Sequence, residues 1–274
     1  MKKIKLYKPS LVNYDISIIE LFLNNLNIEI KNNIYNQKEL KFIFDKKIYG
    51  KFLNQKEKHF FLYHFLFWWD YSIKTIFFKH KSPKILEIGC STGTSSYLFS
   101  LLGARVIGID INETFIDICK KRKFNYFGEK SKNVVFKKSD ALNFSYREGD
   151  NYDFIYSLFA FNLIQPTRIL IKKIFLSLNK GGKILIIDGN HGNIYNRLYN
   201  ITAKSIPLKP FEMSALLNKN GYSNIKITYH CIIPPFFFRN LLFQKLGRLF
   251  ERFIRSLNLM SLFCASYSIV AEKN

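Results

Sequence analysis

From residue 82 onward, short apolar runs alternate with stretches of helical period. Ile85, Leu86 and Ile88 form a run of the kind a strand buried on both faces uses. Similar strand segments are expected at 105–109, 134–137, 152–156, 183–187 and 224–233, with a last one at 265–272. Between them, 94–102, a segment starting near Glu113, 166–178 and 211–217 carry apolar residues at helical spacing. This alternation predicts an α/β protein built on a parallel sheet with helices on both faces. Before it, residues 1–80 read as a helical N-terminal appendage, with an amphipathic segment at 16–30 and an aromatic-rich helix at 57–80. An aromatic stripe at that spacing serves a core as readily as a ligand pocket.

Chemistry concentrates where the first strand ends. Residues 84–96, KILEIGCSTGTSS, break from an apolar run into a Gly/Ser/Thr turn and then a helix start. Unpaired N–H groups at a helix start, next to glycines without a Cβ, form a cradle for a nucleotide. A dinucleotide fingerprint needs glycine at 89, 91 and 94, but Ser91 and Thr94 stand at two of these positions. Glu87, two residues before Gly89, would repel a pyrophosphate and suits a ligand carrying an ammonium or sulfonium group. Asp110 closes the second strand about twenty residues further on, where an acid accepts hydrogen bonds from ribose hydroxyls.

The acidic-x-Gly-x-x-x-Gly pattern resembles the first motif of class I S-adenosylmethionine-dependent methyltransferases. Asp110, Asp140, Asp153 and the NKGG turn at 179–182 follow in the order of that family's landmarks. The resemblance implies a Rossmann-like, doubly wound sheet of seven strands, mostly parallel with the last antiparallel, over a methyltransferase domain at 81–274. It also implies that Asp140 contacts the adenine amino group. The implied cofactor set is Glu87, Gly89, Cys90, Ser91, Gly93, Asp110, Ile111, Asp140, Ala141 and Ser157. The cofactor would be S-adenosyl-L-methionine, with S-adenosyl-L-homocysteine as product and no metal.

No Asn/Asp-Pro-Pro-Tyr motif follows the fourth strand, which disfavours N-methylation of adenine, cytosine or glutamine. The polar loop after the fifth strand makes Asp188, Asn190 and His191 candidates for touching the methyl acceptor. His191 is the first choice for a general base, with His59 or His64 second, since a neutral imidazole suits proton removal from a hydroxyl.

The last strand is separated from the sixth by a helical insertion at 234–262 instead of a hairpin. Within 238–257, Leu242, Leu246, Leu249, Phe250, Phe253 and Leu257 share one broad face, and Lys245, Arg248, Arg252 and Arg255 cluster opposite. Such a basic amphipathic helix is expected either to meet an anionic membrane surface or to pack on the aromatic appendage.

Composition sets the outer limits. Four scattered cysteines, without a CxxC or Cys/His cluster, argue against structural zinc and for a reducing compartment. Neither a signal peptide nor a membrane-spanning run is evident, so a cytoplasmic protein is expected, peripheral on the inner face of the membrane where the insertion engages it. The net charge of +22 accompanies a chain rich in Lys, Asn, Ile, Phe and Tyr, a bias that an AT-rich genome produces by itself. The leading expectation is O-methylation of a small or lipid-linked, hydrophobic acceptor. The alternatives are an RNA methyltransferase, favoured by charge but lacking an RNA-binding module, and a non-catalytic protein that binds S-adenosylmethionine.

Overall fold

Seven strands pair in the order β3-β2-β1-β4-β5-β7-β6. The computed structural model describes residues 68–78, 80–123, 133–146, 150–194, 208–230, 241–257 and 259–274. The strands are β1 (Lys84–Ile88), β2 (Arg105–Asp110), β3 (Val134–Lys138), β4 (Tyr152–Leu158), β5 (Leu178–Gly189), β6 (Tyr222–His230) and β7 (Ser266–Lys273). β1 pairs in parallel with β2 and β4, and parallel pairing continues outward from β2 to β3 and from β4 to β5. β7 is antiparallel to both β5 and β6, which completes the Rossmann-like sheet expected from the sequence.

Alternation along the strands divides the core in two. Ile85, Phe154, Leu185 and Ile187 face one side, packing on Tyr97 and Phe99 of α1 (Thr94–Leu101) and on Trp69, Ile73 and Ile76 of a helix at 68–77. Leu86, Ile88, Ile155, Ile184 and Ile186 face the other side, covered by Leu170 and Ile174 of α3 (Thr167–Ser177) and Met213 and Leu217 of α4 (Pro210–Lys219). The described end of the aromatic helix therefore serves the core. The remainder of the appendage, with His59 and His64, lies outside the described residues.

The fifth strand differs from the sequence reading, whereas the helix expected near Glu113 begins there. The NKGG segment does not end before a new strand: Leu178 leaves α3 with extended backbone, pairs at once with Tyr152, and β5 continues through the glycines. The register shift before Phe154 pairs with Lys183 absorbs them, with Gly181 at φ 75°. Helix α2 (Glu113–Arg122) takes Asn112 as its N-cap, whose side chain accepts from Thr114 N, and this leaves Asp110 to the turn.

The insertion carries α5 (Leu241–Ser256) and α6 (Met260–Phe263). Because β6 runs parallel to β1, the insertion leaves and re-enters the sheet at the edge where β1, β4 and β5 end.

Candidate functional site

Three strand ends and one turn build the site. After β1, the N–H groups of Gly89 and Cys90 both donate to the Ile109 carbonyl, at 2.9 and 3.0 Å, which ties the turn to β2. Gly89 has φ 71°, and a Cβ there would stand 2.2 Å from that of Ala160, so only glycine fits. Ser91, also left-handed at φ 48°, donates its N–H to Asp110 Oδ2 at 2.9 Å, while Oδ1 accepts from Asn112 N at 2.9 Å. The Asp110 carboxylate is thereby aimed along the turn.

A cavity of about 570 Å³ opens over these groups. Gly89, Ser91, Asp110, Ile111, Asp140 and Ala141 line it, together with Phe115, Leu158, Phe159 and Leu163. A recess of about 90 Å³ next to it is lined by Trp69, Glu87, Cys90, Thr92 and Ser95. Glu87 is buried, and burial pushes its carboxyl up to about 8, opposed by the hydrogen bond from Ser96 and reinforced by the charge of Asp110. Asp140 accepts from Leu142 N at 2.9 Å and from Asn143 Nδ2 at 2.8 Å.

Other expected site residues stand away from these two spaces. Gly93 is the left-handed N-cap of α1, where a Cβ would collide with Phe136 and Cys119. Ser157 is buried and donates to the Ile88 carbonyl, joining β4 to β1. Asp188 caps backbone instead of facing the cavity, accepting from Asn162 N at 2.9 Å and Gly189 N at 3.1 Å. Burial pushes its carboxyl up to about 6. Asn190 is also buried, and donates to the carbonyls of Ser261 and Cys264, which fixes the loop after β5 to α6. His191 follows on that loop, half-buried beside Gly189, and burial lowers its imidazole below the usual range.

Sequence reasoning missed two groups. Arg122, at the end of α2, is buried and donates through Nη1 to the Thr92 carbonyl at 2.5 Å and to Thr94 Oγ1 at 2.9 Å. It holds the glycine turn and the start of α1 from below. The available signal was a cation on the same helix stripe as Ile118 and Cys119. Phe159 was hidden because nothing local marks a phenylalanine for φ 56°; its ring meets Trp68 edge-on, with centroids 4.6 Å apart, at the cavity rim.

Residues 79–232, more than half of the chain, match the methyltransferase domain family. The chain belongs to that family. Its methyltransferase domain is 30% identical over 106 residues to phosphoethanolamine N-methyltransferase 1 of Triticum aestivum, covering 38% of this chain and 20% of that protein. It is 26% identical over 147 residues to phosphoethanolamine N-methyltransferase 2 of Caenorhabditis elegans, covering 52% of this chain and 33% of that protein. The matches thus span a fifth to a third of the curated relatives' length. In fold, the chain is similar to Haemonchus contortus phosphoethanolamine N-methyltransferase 2 in complex with S-adenosyl-L-methionine, with a TM-score of 0.57, 17% identity, and coverage of 81% of this chain and 59% of that one. A SAM-dependent methyltransferase from Archaeoglobus fulgidus gives a TM-score of 0.55 at 21% identity, covering 85% and 99%.

Around the methyltransferase domain's cavity, Ile109, Ile111 and Ala141 add apolar lining beside the carboxylates of Asp110 and Asp140. That pairing suits a nucleoside, whose base is flat and whose sugar and amino group donate hydrogen bonds. The buried carboxyl of Glu87 in the adjoining recess suits a cationic tail. No group of three or more His, Cys, Asp or Glu side chains that could hold a metal ion occurs among the described residues.

Proposed function

We propose that this chain is an S-adenosylmethionine-dependent methyltransferase acting on the hydroxyl of a small, largely apolar acceptor. The observation that carries the reading is the cavity lined by both Asp110 and Asp140, whose wall also includes the apolar Phe159, Leu163 and Ile164. S-adenosylmethionine brings a methyl group already activated on a sulfonium. The chain's own residues then have to bind, align and exclude water. Asp110 and Asp140 would hold the nucleoside, Glu87 would face its ammonium, and Phe159 with Trp68 would wall the acceptor side.

Of the described histidines, His80 precedes β1 at the opposite edge of the sheet, and His230 is buried against Ser268. His191, on the loop after β5 and outside the cavity lining, remains as the candidate base, with burial lowering its pKa and so favouring the neutral imidazole. A lipid-linked acceptor presented at a membrane surface falls within this reading.

A second reading follows from the matched relatives, whose names specify phosphoethanolamine and N-methylation. A phosphate-bearing acceptor needs cationic partners, and no Lys or Arg among the described residues lines the cavity. The apolar hydroxyl acceptor is therefore preferred.

The test incubates purified protein and methyl-labelled S-adenosylmethionine with phosphoethanolamine and with the lipid, small-molecule and RNA fractions of a cell extract. Label in organic-extractable hydroxyl compounds is expected. Label in phosphoethanolamine alone would replace the acceptor, and label in RNA would make the net charge the better guide. Cofactor binding without any label would point to the non-catalytic alternative.

A further inference from the structure

Along α5, Leu246, Leu249, Phe253 and Leu257 follow one another at helical spacing and stand 47%, 58%, 58% and 48% exposed. A different sector attaches the helix to the body. Ile254 is buried with Met260 and Cys264, and Phe250 meets Phe263 edge-on at 5.8 Å. At about 100° per residue, the apolar stripe lies between this attached sector and a third one, where Lys245 and Arg252 stand exposed. Among the described side chains of the helix, Ile254 and Phe250 are thus spent on folding, and Leu246, Leu249, Phe253 and Leu257 are left outward.

We propose that this stripe docks in the plane of an anionic lipid surface, with its four apolar side chains at the acyl boundary and Lys245 and Arg252 reaching the headgroups. An apolar band bordered on one side by cations complements a surface that is apolar within and anionic outside, and the net charge of +22 adds long-range attraction. No helix among the described residues is long and apolar enough to cross a membrane, which fits an in-plane helix. Position gives the docking a purpose. The insertion leaves β6 after His230 and returns at Ser266, which pairs with Gly189 at the end of β5, on the sheet edge where β1 and β4 also end. Asn190 and Asn193 both donate to the Cys264 carbonyl, so α6, which packs against α5, is joined to the loop carrying His191. A docked α5 would hold the acceptor side of the cavity close to lipid. That consequence rests on the proposed function, whereas the docking itself does not.

The experiment uses the full chain in flotation with phosphatidylcholine vesicles, with and without phosphatidylglycerol. Wild-type protein is expected to float with the anionic vesicles, less so at high salt. The Leu246→Ser, Phe253→Ser double variant should bind at least about tenfold more weakly with an unchanged thermal midpoint. Three results would overturn the proposal: wild-type protein that ignores anionic vesicles, a variant that floats equally well, or a self-associating wild type whose dimer the variant abolishes without any vesicle binding. A fall in the variant's thermal midpoint would also overturn it, since the stripe would then be covered by the chain's own residues. Cofactor affinity, measured alongside, reports on the methyltransferase reading separately: its absence would defeat that reading and leave the docking result standing.

Discussion

Ser96 donates its hydroxyl to Oε2 of Glu87, joining the first turn of α1 to the strand that precedes the glycine turn. Both side chains are buried, and that bond lowers the carboxyl's pKa without overcoming the effect of burial. Burial thus favours the protonated form of Glu87 at neutral pH.

This sets a pH dependence with a defined sign. The folded pKa of about 8 lies above the ordinary 4.5, so the folded state binds the extra proton between these values. The contribution to stability is complete below about pH 4.5 and is lost as pH rises towards about 8, with a slope of about 1.4 kcal/mol per pH unit. Glu87→Gln should flatten that part of the stability profile, measured by urea unfolding at several pH values. An unchanged slope would contradict the assignment.

Asp110 accepts from both Ser91 N and Asn112 N, so it shapes the turn as well as facing the cavity. Asp110→Ala should weaken S-adenosylmethionine binding at least about tenfold by calorimetry, through lost charge-assisted hydrogen bonds. Retained affinity would remove the ribose role.

Gly89→Ala should destabilise by roughly 2–4 kcal/mol, combining left-handed backbone strain with the collision at Ala160. Adding Ala160→Gly should recover the steric part and leave the backbone part. Thermal unfolding of the single and double variants separates the two.

Arg122 acts by positioning. Arg122→Met removes the donor to Thr92 and Thr94 from a buried site, and should raise the KM for S-adenosylmethionine while changing kcat little. Equal losses in acceptor and cofactor KM would indicate a merely structural part.

His191→Ala should lower kcat by about 10² to 10⁴ with cofactor affinity retained, if the acceptor proton leaves through this ring. Steady-state kinetics beside calorimetry distinguishes this from loss of the site.

The glycine turn, Asp110 and the β/α alternation were legible in the sequence because each is a local rule. A buried strand is an apolar run, a left-handed turn needs glycine, and a strand end projects its acid into the crevice. Asp188 shows where such rules stop. As a strand-end acid it looked like an acceptor contact, yet it is spent on the N–H groups of Asn162 and Gly189. Asn162 is brought there by the turn after β4, a long-range placement that no spacing encodes. Arg122 could be seen on its helix but not its partner, since Thr92 comes within reach only when α2 packs back over β2.

The amphipathic α5 divides in the same way. Its sequence determined two chemically distinct faces, because the helical period alone sorts Leu246, Leu249, Phe253 and Leu257 from Lys245 and Arg252. Only the tertiary structure decided that Ile254 and Phe250 would be its attachment and that Leu246, Leu249, Phe253 and Leu257 would point outward. The reason is physical: periodicity specifies which residues share a helix face, while the packing of β6, α6 and β7 decides which face the fold has room to bury.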